Sequence, residues 1–175
     1  MYIKSFSSAA VLLLMISCAT IKPGAENDGI IDYRLYQGKW YEIARLPNQF
    51  EDGLICTTMT YRYTDEGVMT VSNMGRNKKN PGDIRTLTGR AWIPDGKEPR
   101  RIKIQFIWPV TADYVLIHID EVKGLAVLGS PFKHQLWIIS RSADVAEEDF
   151  TELVQIAEKN QYKTENLVRV EQSCE

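Results

Sequence analysis

The chain has 175 residues, a length suited to one all-β domain. Its hydrophobic content of 44% and charged content of 25% are those of a globular protein and exclude a disordered one. A net charge of -2 offers no footprint for nucleic acid, and three cysteines and two histidines without close spacing give no metal-site pattern.

Residues 1–17 read as a lipoprotein signal peptide. Lys4 supplies a positive start, and Ala9 to Ile16 is an apolar run too short to span a bilayer. Met15-Ile16-Ser17-Cys18 resembles a lipobox, with Met15 where Leu is usual; there the cysteine takes acyl chains such as palmitate and becomes the first mature residue. The other reading is an ordinary secretory signal cut nearby, with Cys18 a bystander. Ala19, where an Asp would mean inner-membrane retention, points by the same resemblance to the outer membrane. Residues 18–29, with Pro23, Gly24 and Gly29, form a tether, and residues 30–175 form the folded domain. Ile30 to Tyr36 reads as a short helical turn.

Gly38 to Arg45 is the first strand, with Trp40, Glu42 and Ala44 on one face and Tyr41, Ile43 and Arg45 on the other. A long loop, Leu46 to Gly53, carries Phe50 either as a lid or as a ring packed outside. From Cys56 the period is two, and Met59, Tyr61 and Tyr63 share a face. Asp65-Glu66-Gly67 turns the chain into Val68 to Gly75. Asn77 to Asp83 is charged, holds Pro81 and Gly82, and reads as a loop before Ile84 to Pro94. Arg101, Lys103 and Gln105 then alternate with Ile102, Ile104 and Phe106 in a half-buried strand. Tyr114 to Asp120, Leu125 to Gly129 and His134 to Arg141 complete eight strands with short connections, the pattern of an antiparallel up-and-down barrel. Asp144 is placed to cap a helix in which Phe150, Leu153, Val154 and Ala157 form one apolar stripe, suited to packing on the outside of the barrel. Leu167 to Val170 is a short last strand.

Gly38-Lys39-Trp40, the order of eight strands then a helix, and Leu136-Trp137-Ile138-Ile139-Ser140-Arg141 resemble the first and third signatures of the lipocalins. The second signature is partial, since only Asp120 survives of Thr-Asp-Tyr. Tyr36 through Arg45 and then Phe50-Glu51-Asp52-Gly53 resemble the bacterial outer-membrane lipocalins and their apolipoprotein D-like relatives. The resemblance implies that Trp40 and Arg141 close one barrel end, the guanidinium stacking on the indole. It implies a ligand cavity, for which strand parity nominates Tyr36, Glu42, Ala44, Met59, Tyr61, Tyr63, Asn73, Ile102, Ile104, Phe106, Trp137 and Ile139. Glu42, Asn73 and the tyrosine hydroxyls are the groups that could orient a ligand head; His118 reads as structural or inward-facing. It also implies a Cys56–Cys174 disulfide, the alternatives being two free thiols or a reduced Cys56.

The expected function is binding of a fatty acid, lysophospholipid or similar amphiphile by a protein held on the outer membrane through Cys18, with no catalysis, cofactor or nucleic-acid partner. The alternatives are an enzyme using Cys56, a structural envelope protein with a filled barrel, or a binder of haem or another iron carrier, for which no ligating pattern is seen.

Overall fold

Alternating apolar and polar residues drive eight antiparallel strands into one barrel, in which each strand pairs with the next in sequence. The strands are β1 (Gly38–Arg45), β2 (Leu54–Tyr63), β3 (Val68–Asn77), β4 (Asn80–Trp92), β5 (Arg101–Ile107), β6 (Val110–Asp120), β7 (Leu125–Gly129) and β8 (Leu136–Ser140). Pairing of β1 with both β8 and β2 closes the ring. The computed structural model describes residue 34 and residues 36–64, 67–94 and 98–174. The expected signal peptide, Cys18, the tether and most of the turn over Ile30 to Tyr36 lie outside the described residues.

Two strands begin earlier than their composition suggests. The loop expected over Asn77 to Asp83 is a tight hairpin: Asn77 pairs with Asn80, and β4 is already extended through Pro81. The stretch read as loop, residues 80–83, is exposed and carries no large apolar side chain, so nothing marks it as strand. Likewise β6 starts at Val110 and not Tyr114, because β5 and β6 meet in a turn at Trp108 and Pro109.

Two apolar clusters share the barrel wall. The inner one includes Trp40, Met59, Tyr61, Met69, Val71, Ile102, Leu116 and Ile139. The outer one joins Leu125, Val127, Leu136 and Ile138 to Leu153 and Ala157 of α1 (Glu147–Lys159). The predicted helical stripe therefore packs outside the barrel. Tyr162, just past the helix, donates from its hydroxyl to the Ser130 carbonyl (2.9 Å). Its ring lies where a Cβ on Gly129 would stand, at 2.4 Å, so only glycine fits there. Asp144 does not cap this helix; the capping position is Ala146, with no side-chain bond. Val145 packs against the outer cluster and leaves Asp144 two residues short, while Glu147, Glu148 and Asp149 meet the helix dipole instead.

The tail covers a seam where β1 and β2 part. β1 stays beside β2 only from Gly38 to Tyr41. Past that point a ninth strand, β9 (Val168–Arg169), pairs with Ala44 and Arg45. The Val170 N–H then donates to the Ile43 carbonyl (2.9 Å) and the Cys56 N–H to the Glu171 carbonyl (2.7 Å). The Gln172 side-chain amide donates to the carbonyls of Glu42 (2.6 Å) and Thr57 (3.0 Å), bridging the parted strands. Beyond it Cys174 is disulfide-bonded to Cys56, across 118 residues of sequence. A loop that long restricts the unfolded chain strongly, by up to about 5 kcal/mol in the chain-entropy model. Reduction, or Cys174→Ser, should lower the unfolding free energy in denaturant by a few kcal/mol and expose the β1–β2 seam to amide exchange before the rest of the barrel.

Candidate functional site

The two ends of the barrel are built differently. At one end the Trp40 indole lies across the interior, with the Arg141 guanidinium 3.9 Å from its ring centre. The Trp40 Nε1–H donates to the Tyr36 carbonyl (2.9 Å), and an Arg141 Nη1–H to the Lys39 carbonyl (2.9 Å). The Tyr36 ring packs between Trp40 and Tyr61, at 4.9 and 5.0 Å between centroids. Arg141 is set in place by the turn after β6, where its N–H donates to the Gly124 carbonyl (2.8 Å). Gly124 has φ +67° and leaves no space for a Cβ, which would meet the Arg141 side chain at 2.7 Å.

Inside lies a cavity of about 610 Å³, within the range of small-molecule sites. Its wall includes Met59, Met74, Ile104, Phe106, Tyr114 and Trp137, with Leu54 and Leu87 nearer the edge. It reaches the surface past Phe50, Ile107 and Val110, which are 68–69% exposed and form an apolar rim. Arg85, Asn48 and Gln135 add polar groups to the same wall. The barrel is therefore not filled, as a purely structural protein would require.

Of the residues nominated from the sequence, Glu42, Met59, Asn73, Ile104, Phe106 and Trp137 line this cavity. Tyr61 lines a small extension of it beside Val71 and Leu128. Tyr36, Ile102 and Ile139 are in the packed interior but off the cavity wall. Tyr63 is exposed at the end of β2, its N–H held by the Gln37 side chain (3.1 Å), where the strand runs past the packed floor. Ala44 faces the opposite way from the expected one and packs in the outer cluster. The cause is a register shift between Glu42 and Ala44 against β8: Ile43 is an extra residue, so alternation restarts after it. Arg45, expected outside, is thereby turned in beside Glu42. His118 sits at a similar shift on β6, between inward Leu116 and Ile119, and is off the cavity wall. Sequence reasoning passed over Glu51, Thr57, Met74, Leu87, Ile107, Val110 and Tyr114. The alternation that nominated Phe106 extends across the hairpin to Val110 and Tyr114, and Leu87 alternates with inward Ala91, whereas Glu51, Thr57, Met74 and Ile107 carry no periodic mark.

A polar cluster stands against this wall. An Arg45 Nη1–H donates to Glu42 Oε1 (2.7 Å), and its Nη2 donates to the carbonyls of Glu51 (2.7 Å) and Leu54 (2.9 Å). The Trp137 Nε1–H and the Asn48 amide both donate to Glu51 Oε2, at 2.9 and 2.6 Å. Cys56, the nucleophile an enzymatic reading needs, is bonded to Cys174 and has no thiol.

A family model of a lipocalin-like domain matches residues 31–172. The chain is a lipocalin. It is 29% identical to the outer membrane lipoprotein Blc of Escherichia coli over 168 residues, covering 95% of this chain and 94% of that protein. It is 26% identical to bovine apolipoprotein D, over 86% of this chain and 80% of the relative. Lobster apocrustacyanin A1 has the same fold, with a TM-score of 0.67 at 20% identity over 82% of this chain and 81% of the other.

This lipocalin holds an unusual carboxyl in its cavity. Glu42 is fully buried, and burial first, then the nearby Glu51 carboxylate, push its pKa from 4.5 up to about 8 against the pull of Arg45. Glu42 is therefore a neutral acid at pH 7. Folding takes up a proton wherever the folded carboxyl holds one that the unfolded chain has released, so stability falls as pH rises from about 4.5 to about 8. Thermal melts should show the midpoint dropping across that window in the wild type and dropping less in Glu42→Gln, whose amide stays neutral.

Proposed function

We propose that this lipocalin binds fatty acids, lysophospholipids or similar amphiphiles in its barrel and carries them at the bacterial envelope, held to the outer membrane by acyl chains on Cys18. The observation that carries the reading is the cavity itself, apolar on most of its wall, packed at one end and apolar-rimmed at the other. A hydrocarbon chain buried there gains about 25 cal/mol for each Å² removed from water. The head group of an amphiphile would lie at the mouth, where Arg85 offers a cation to a carboxylate or phosphate. Trp40 and Arg141 act as the closure of the far end, not as ligand contacts. Among lipocalins, binding and transport are the general activities, and the disulfide at Cys56 fits a role without catalysis.

The membrane half of the reading rests on Met15-Ile16-Ser17-Cys18 and on the similarity to a protein named an outer membrane lipoprotein. Two or more acyl chains on one cysteine suffice for stable anchoring at about 0.8 kcal/mol per buried CH₂.

A fluorescent fatty-acid analogue should bind and be displaced by lysophospholipid. Trp137→Ala should weaken it by roughly tenfold or more, since truncating a buried aromatic commonly costs a few kcal/mol. An absence of binding by any amphiphile would end the proposal. Separately, Cys18→Ser should move the protein from the membrane to the soluble fraction of fractionated cells. If that variant is processed and stays with the membrane, the anchor is not Cys18.

A further inference from the structure

Three neighbouring strands each place a polar atom on the cavity side with no hydrogen-bond partner among the described residues. They are Glu42 Oε2 on β1, Thr57 Oγ1 on β2 and Asn73 Oδ1 on β3. Glu42 and Thr57 are themselves buried, and one Gln172 amide binds both their backbone carbonyls, so the two residues flank a single point of the wall. Asn73 pairs with Met59, two residues along β2 from Thr57. Buried polar atoms are nearly always satisfied, so three unsatisfied ones on adjacent strands of a largely apolar wall mark where a ligand group belongs.

We infer that the cavity is built for an apolar chain that carries a hydroxyl group part-way along its buried length, the hydroxyl meeting Glu42, Thr57 and Asn73. This rests on the amphiphile reading above and narrows it. The chemistry of the three groups selects a hydroxyl. An acid O–H on Glu42 and the Thr57 hydroxyl can donate, and Asn73 Oδ1 can accept, so a group that both donates and accepts satisfies the set. A plain methylene leaves all three unpaired. A carboxylate or phosphate would bring a second anion beside Glu51 into the apolar interior, which is why the anionic head belongs at the mouth. The small apolar extension beside Tyr61, Val71 and Leu128 lies deeper than this point and suits the chain beyond the hydroxyl.

The charged and titratable groups around Glu42 are Arg45 on its own strand, Glu51 in the following loop, and Tyr61, Arg85 and Tyr114 round the wall. Burial and Glu51 hold the Glu42 carboxyl protonated toward a pKa of about 8, so it presents an uncharged group to the hydroxyl below that value and a charged one above it.

The test measures affinity for stearate and for a series of hydroxystearates differing only in hydroxyl position. Hydroxyls at one window of positions should bind about tenfold tighter than stearate, and those outside the window no tighter. Thr57→Val combined with Asn73→Leu should abolish that advantage, read as the ratio of hydroxystearate to stearate affinity within the same variant, with the unchanged melt of a folded barrel as control. The advantage should shrink above about pH 8 in the wild type and become independent of pH in Glu42→Gln, whose amide keeps a donor. If stearate binds and every hydroxystearate binds equally or more weakly, this inference fails and amphiphile binding stands. If nothing in the series binds, both fail.

Discussion

The extra residue at Ile43 decides the rest of this barrel. In a closed ring every strand pairs on both edges, and β1 does so only as far as Tyr41 on the β2 side. The bulge bends the strand and lets two consecutive apolar side chains, Ile43 and Ala44, face the helix. It also swings Arg45 into the interior, where its guanidinium must be paired. The Leu54 and Glu51 carbonyls and the Glu42 carboxyl do that, which fixes the loop between β1 and β2 over the cavity. The parted strands would leave backbone groups unpaired, and the tail supplies them with partners. Bulge, buried arginine, loop and tail are consequences of one added residue.

Much of the fold was legible in the sequence because period-two alternation is a direct print of a strand with one face inward. It put Met59 and Tyr61, Ile104 and Phe106, and Trp137 on the inner face, where they lie. It could not reveal the bulge: Glu42-Ile43-Ala44-Arg45 reads as regular alternation whether or not Ile43 is counted twice. That is why Ala44 was expected inside and Arg45 outside. The early part of β4 was hidden for the opposite reason, since a fully exposed strand has no apolar period to read. Thr57 and Glu51 were invisible because their places come from a bulge in β2 and from the path of a loop, and neither is written in composition. Asp144 misled because capping preference is local, whereas the position of the helix is set by the packing of Val145.

The electrostatics of the cavity follow from counting its charges. Arg45 donates to the Glu42 carboxyl but only to the backbone carbonyl of Glu51, whose carboxyl takes its hydrogen bonds from Trp137 and Asn48. Glu42 has one hydrogen bond and no water-facing surface. Burial, with the neighbouring Glu51 second, outweighs the pull of Arg45 and raises the pKa of Glu42 to about 8. Protonation of Glu42 thus removes one charge from the wall beside the cavity.

The two barrel ends treat the same problem in opposite ways. At the packed end an indole excludes water and a guanidinium covers the indole, so the surface presented to solvent is charged. At the other end nothing equivalent covers Phe50, Ile107 and Val110, which stand in water at the edge of the cavity. Exposed apolar side chains around an apolar cavity lower the cost of moving a hydrocarbon chain across that part of the rim. The packed end offers the reverse, a charge to pass and a filled interior beneath it. On the proposed function, the amphiphile would enter by the open mouth, apolar end first, because the other end is packed.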